Sequence, residues 1–337
     1  MKKLGIGIFL LVAFLGIFIF SKRSIVPQEK VKERPLLKYT YENLKKTKFE
    51  PSAIALGDIL NEGENYVSQM FYYHLKDVVN GKSSKKKVSG LINIPKNKGV
   101  YPVIVMMRGF VPVENYATGI GTKKAGEVFA QNGFITLAPD FLGYGQSDNP
   151  SQDSIEERFQ TYTTALTLLS SLVNLNNGLE ASYSGKIKAD LSKVSIWGHS
   201  NGGQIAISVL EITGQNYPTV LWAPVSKPFP YSILYYTDEF ADHGKALRKA
   251  VANFEKDYDV ELYSPSNFYS RINASIEIHQ GLADDAVPVK WSDNLVTDLT
   301  KSGKDVTYFT YSGADHNLLP GWDKAMERSI DFYKKHL

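Results

Sequence analysis

"VSIWGHSNGGQIAI", residues 194–207, puts a hydroxyl where a strand meets a helix, with glycine on either side of the junction. Val194 to Trp197 alternate and β-branch as a strand does, and Gly203 to Ile212 carries apolar residues at helical spacing. A Gly-x-Ser-x-Gly string means little alone. Between a strand and a helix it describes a sharp turn that presents Ser200 at the strand's carboxyl end, as a nucleophile is presented.

Outward from this turn the chain keeps the same grammar. Strand-like runs occur at "YVSQMFYYHL", "KVSGLINIP", "PVIVMM" (102–107), "FITLAP" (134–139), "VSIW" (194–197), "PTVLW" (218–222), "SIEIHQ" (275–280) and "VTYFTY" (306–311). The first two flank the turn-rich "NGKSSKKK" and predict an antiparallel hairpin. Helix-period segments such as "KKAGEVFAQNG" and "FQTYTTALTLLSSLVNLNNG" separate the later ones, which predicts a mostly parallel sheet of eight strands with helices on both faces. Residues 224–273, after the sixth strand, are too long for a simple crossover and hold ten Phe or Tyr. They read either as a cap over the sheet's carboxyl edge or as a helical insertion burying its aromatics in a small core of its own.

A serine hydroxyl becomes a useful nucleophile only beside a histidine that takes its proton and a carboxylate that orients the histidine. Both should lie just after strands, at the edge where open α/β sheets place their chemistry. His316 in "YFTYSGADHNLLPGW" follows the last strand, and "IEIHQGLADDAVPV" puts Asp284 and Asp285 just beyond another. His74 and His336 fall off this edge, His243 lies in the insertion, His199 adjoins Ser200 without easily facing its hydroxyl, and His279 lies within a strand. Asp284 is preferred as the acid, with Asp285 a solvated loop carboxylate. An oxyanion needs two preorganised donors. The expected pair is the amide of Asn201, after the nucleophile, and that of Phe110, in the loop after the third strand.

Composition limits the rest. With 43% hydrophobic and 12% aromatic residues the chain can bury a sizeable core, and a formal charge of +3 argues against a nucleic-acid partner. Cysteine is absent, which removes disulfides, thiolate metal sites and a cysteine nucleophile. Leu4 to Phe20 is an uncharged apolar run behind two lysines, close to the lower limit for a membrane span, with no good cleavage site at "FIFSKR". Residues 1–23 are therefore read as a membrane anchor or signal segment, 24–65 as a linker and N-terminal arm, and 66–337 as the catalytic domain. The expected location is membrane-anchored with the domain outside the cytoplasm; signal cleavage and secretion, or a cytoplasm-facing domain as the Lys/Arg balance suggests, are the alternatives.

"MMRGF" (106–110), "APDFLGYGQSD" (138–148), "GHSNGG" (198–203), "HQGLADDAVPV" (279–289) and "GADH" (313–316) occur in the order and spacing of α/β-hydrolases, which carry their triad in the chain order Ser, Asp, His. More narrowly, residues 66 to the C-terminus resemble the catalytic domain of the prolyl oligopeptidase family of serine peptidases. The resemblance implies an α/β-hydrolase fold and a Ser200–His316–Asp284 triad, the Gly-x-x-Asp-x-x-Val-Pro string at 281–288 selecting Asp284. It implies acyl-enzyme chemistry on a small peptide or ester, with no metal or organic cofactor. Two features depart from it. Only residues 24–65 precede the first strand, too few for the propeller many members carry, and Arg108 stands where the oligopeptidase type often has an oxyanion-hole tyrosine. Arg108 either contacts a substrate carboxylate or carbonyl, or closes a structural salt bridge. A serine peptidase is thus expected first, a carboxylesterase second, and a non-catalytic membrane-tethered binding protein third.

Overall fold

Apolar runs without polar alternation make the centre of one sheet. In the computed structural model, which describes residues 32–79 and 82–337, β4 (Gly99–Met107), β5 (Ile135–Pro139), β6 (Ile187–His199), β7 (Thr219–Trp222) and β8 (Ile276–Gly281) all end in buried residues. Parallel strands covered by helices on both faces require this. With β9 (Val306–Tyr311) they form the parallel part of the sheet. β1 (Ala55–Glu62), β2 (Tyr66–Val79) and β3 (Lys82–Pro95) are antiparallel, and the strand order is β1-β2-β3-β5-β4-β6-β7-β8-β9.

The helices are α1 (Tyr41–Lys46), α2 (Lys123–Gln131), α3 (Ser154–Ser171), α4 (Leu175–Tyr183), α5 (Asn201–Thr213), α6 (Tyr231–Leu234), α7 (Lys245–Phe254), α8 (Val289–Lys301) and α9 (Trp322–His336). Side chains alternate across a strand, so β4 feeds two cores. Val103, Val105 and Met107 join the cluster that holds α3 and α5, whereas Ile104 and Met106 join Phe129 of α2 and Tyr333 of α9 on the other face. Because β5 lies on one side of β4 and β6 on the other, the chain reverses direction across the sheet at β4. The carboxyl ends of β4 and β6 flank that switch point, where open α/β sheets leave a crevice.

Two expectations change, and of the two readings of the insertion one falls. The sheet has nine strands, not eight: "ALGDILNE" adds β1 at the edge. The boundary at 65 moves, because the body begins at Leu36, where Leu36, Tyr39, Tyr41 and Leu44 are buried in the main core instead of lying on a linker. The insertion at 224–273 has no separate core for most of its aromatics. Phe229, Phe254 and Tyr263 pack against Phe159 of α3, with ring centroids 5.3, 6.0 and 5.0 Å away. The anchor read at residues 1–23 lies outside the described residues; among those described, no helix is long and apolar enough to cross a membrane.

Candidate active site

Strand register brings the site together. Met107 pairs with Gly198, His199 with Trp222, Trp222 with His279, and Gly281 with Tyr311, so the loops after β4, β6, β8 and β9 leave one edge side by side. Ser200 holds φ 55° and ψ −123°, a conformation costing a non-glycine residue about 1–3 kcal/mol that only its surroundings can offset. Here they do. The Ser200 amide donates to Trp222 O at 2.9 Å, and Ser200 O accepts from Gly203 and Val225, both at 2.9 Å. Gly202 permits the turn by steric necessity: a Cβ there would lie 1.9 Å from Met107 O.

After β8, Asp284 is fixed on every side. Its Oδ1 accepts from the amides of Ala286 (2.9 Å) and Val287 (2.8 Å), and Oδ2 from Gln280 Nε2 (2.9 Å). Gln280 is in turn held by the Ser292 hydroxyl at 2.7 Å. Gly281 lets the next loop close over this one, since a Cβ there would meet the carbonyls of Ala314 and Asp315 at 2.3 and 2.4 Å. Asp315 ties that loop by accepting from the amides of Asn317 and Leu319, each at 2.9 Å.

The result puts His316 Nδ1 3.1 and 3.0 Å from the two oxygens of Asp284. Burial raises the Asp284 pKa, but hydrogen bonds from His316 and the two amides outweigh it and leave the group below its ordinary value. A charged carboxylate accepts, so Nδ1 carries the hydrogen and Nε2 keeps its lone pair. Ser200 and His316 line one cavity. The Ser200 hydroxyl itself makes no hydrogen bond to a described residue, a common state of a nucleophile before substrate tightens the contact. Asp285 is exposed. His279 is buried within β8, bonded to Tyr311 and Glu277.

The turn after β4 lies against Ser200: a Cβ on Gly109 would come 3.0 Å from Ser200 Cβ. Arg108 Nη1 donates to Gly109 O at 2.9 Å. Across a trans peptide the carbonyl and the next N–H point opposite ways, so this bond turns the Phe110 amide out of the Arg108 network. Neither the Phe110 nor the Asn201 amide donates to a described acceptor, and both residues line the cavity.

Arg108 lines the cavity but does not close the structural salt bridge that was one of the two roles expected of it. Among the described residues it has no ion pair. Its Nη2 donates to Asp140 O at 2.9 Å, and the guanidinium lies 3.9 and 4.6 Å from the Tyr144 and Tyr116 ring centroids. It braces the turn on which Phe110 sits. Asp140 anchors the same region, accepting from Ser89, Tyr116 and Thr118, and its burial raises its pKa despite those bonds.

Three groups at the site escape sequence reading: Gln280 behind the acid, His199, whose Nε2 donates to His316 O at 2.9 Å, and Arg158 of α3, whose Nη2 donates to Asn201 Oδ1 at 2.7 Å. The motifs mark strand ends, and these contacts run between elements. The cavity measures about 420 Å³, and Ile233, Tyr236, Phe240 and Leu247 of the insertion are among its lining residues.

A family model for chlorophyllase matches residues 58–217. No curated protein matches the sequence. Among solved structures the chain is similar to an acetyl xylan esterase from Paenibacillus sp. R4 (16% identity, TM-score 0.58, covering 88% of this chain and 92% of that one). It is similar also to acetyl xylan esterase 1 from Thermoanaerobacterium sp. JW/SL YS485 (15%, 0.54, 89% and 94%). A puromycin-hydrolysing peptidase of Mycobacterium tuberculosis matches at 15% identity and TM-score 0.55 over 81% of this chain, which spans 46% of that protein's length. At such identities the likeness concerns architecture alone.

Proposed function

The chain has the α/β-hydrolase fold, and from that premise we propose that it is a serine hydrolase acting through an acyl-enzyme. The observation that carries the reading is the pairing of His316 Nδ1 with an ionised Asp284 at 3.0 Å on the wall of the cavity that Ser200 also lines. Ser200 Oγ attacks the substrate carbonyl while its proton passes to His316 Nε2; Asp284 holds the ring and offsets the imidazolium charge. The amides of Phe110 and Asn201 receive the oxyanion, the second at the positive end of α5. His316 returns the proton to the leaving group, and water repeats the sequence to release the acid. Nothing in the scheme calls for a metal or organic cofactor.

We place a carboxylic ester ahead of a peptide as substrate. In its support, this chain is nearly coextensive with two esterases but spans 46% of the peptidase. The peptidase reading keeps one observation in its favour, the Gly-x-x-Asp-x-x-Val-Pro string that resembles the prolyl oligopeptidase family. Ser200→Ala tests the chemistry: a fluorophosphonate probe is expected to label the native protein and not the variant, and kcat on 4-nitrophenyl esters to fall by about 10⁶. Equal labelling of both proteins would leave a binding protein of the same fold. Turnover of aminoacyl or prolyl nitroanilides but not of esters would reverse the substrate order.

A further inference from the structure

Besides tyrosines, four ionisable side chains line the cavity: Arg108, Glu157, Arg158 and His316. His316 belongs to the proposed triad, and Arg108 lies between aromatic rings with its two Nη atoms on backbone carbonyls and its Nε sealed from solvent without a partner. Arg158 is different. Its Nη2 donates to Asn201 Oδ1 at 2.7 Å and to Gln204 Oε1 at 2.9 Å, two neutral amides on α5. A guanidinium has five N–H donors, so Nε and Nη1 keep three with no acceptor among the described residues. Neither atom is among the buried polar atoms sealed from solvent.

Among the described residues no carboxylate forms an ion pair with it, although the charges of Glu157 and Arg158 favour each other. Glu157, the preceding residue, reaches the same cavity without forming an ion pair with it. Burial raises the Glu157 pKa and lowers that of Arg158. A half-buried charge in a cavity wall gains from a partner that replaces lost water, and the planar guanidinium suits carboxylates. The place matters as much as the charge. Arg158 bonds the side chain of Asn201, the residue next to Ser200, and lines the same cavity as Ser200.

The geometry points to Arg158 as the recognition group for a carboxylate carried by the substrate, a short carbon chain away from the scissile carbonyl. The inference rests on the hydrolase reading and deepens it. The carboxylate belongs either to the acyl part or to the leaving alcohol, and two ester pairs separate these. For the acyl side the pair is 4-nitrophenyl hemiglutarate against its methyl ester; for the leaving side, 4-acetoxybenzoate against methyl 4-acetoxybenzoate.

In one of the pairs the native protein is expected to show kcat/KM higher by about 10-fold or more for the anionic member, the worth of a hydrogen bond between charged groups. Arg158→Met should abolish that preference, lowering the anionic ester about 10-fold more than the neutral one, and Arg158→Lys should keep part of it. Equal treatment of both pairs by the native protein overturns the inference while leaving the hydrolase reading intact. So does an Arg158→Met variant that loses both members equally, which would make Arg158 a brace for Asn201, or one that keeps the native preference. A protein that turns over no ester and takes up no fluorophosphonate overturns the hydrolase reading, and this inference with it.

Discussion

His199, beside Ser200, ties down the backbone of His316. Its Nε2–H donates to His316 O, with the two rings 4.7 Å apart. Burial, then the neighbouring His316 ring, hold its pKa down to about 4 from an ordinary 6.5. Between those values an unfolded chain takes up a proton that the native state refuses, so stability is whole above about pH 6.5 and falls as pH drops toward 4. Linkage puts the loss from this residue at about 2 kcal/mol between pH 7 and pH 5. His279, buried and shifted the same way, adds to it. His199→Gln keeps a donor for the His316 carbonyl and removes the titration. Urea unfolding at the two pH values is expected to show a smaller difference for the variant by that amount; an unchanged difference would mean that another group titrates. None of this is legible in "GHSNGG", because the partner of His199 is a carbonyl 117 residues away. Arg158 is illegible for the same reason: its meaning comes from α5, and nothing around position 158 marks it.

At the scale of elements, the turn from β6 into α5 works only because α5 starts in contact with the end of β4. A Cβ at Gly202 would lie 1.9 Å from Met107 O and 2.7 Å from Arg108 O. Both are backbone atoms, so no side-chain rotation relieves the overlap. Gly202→Ala is therefore expected to cost at least about 2 kcal/mol in urea unfolding and to slow fluorophosphonate labelling, since the displaced helix carries the Asn201 amide with it. Native stability in that variant would show that the two elements are looser than described. Elements of this kind are where sequence reads best: β5, β7 and the carboxyl halves of β4 and β6 are short buried runs, mostly apolar, and Gly198 and Gly202 sit where backbone meets backbone. β1 is the counterexample. Gly57, Asp58 and Asn61 interrupt its alternation, its pairing with β2 shifts register twice, and most of it is exposed. It is a strand because β2 offers it an edge, which no local pattern records. Asp284 and His316 were legible because they follow strands; Gln280, inside one, was not.

Across the whole molecule, the compact body begins at Leu36. Tyr41 stacks on Phe268 at 4.7 Å, and its hydroxyl donates to Ser208 of α5 at 2.6 Å. Leu36 O accepts from Tyr263 at 3.1 Å, and Glu42 pairs with Arg271. Leu36, Tyr39, Tyr41, Leu44 and Ile54 are all buried. At about 2 kcal/mol for each side chain removed from water, these five contribute on the order of 10 kcal/mol as an upper bound, as much as the entire net stability of an ordinary domain. A chain starting at Tyr66 also bares the β2 edge along "VSQMFYY", an apolar template for pairing with another copy. The fragment 36–337 is therefore expected to be soluble, to melt cooperatively and to take up one fluorophosphonate, whereas 66–337 is expected to aggregate or to show no cooperative transition. Tyr41→Ala in the longer fragment isolates one contact of the set, with an expected loss of about 3–5 kcal/mol. If 66–337 instead melts within a few degrees of 36–337 and labels as fast, the arm is an accessory to the fold and the boundary lies at β2 after all.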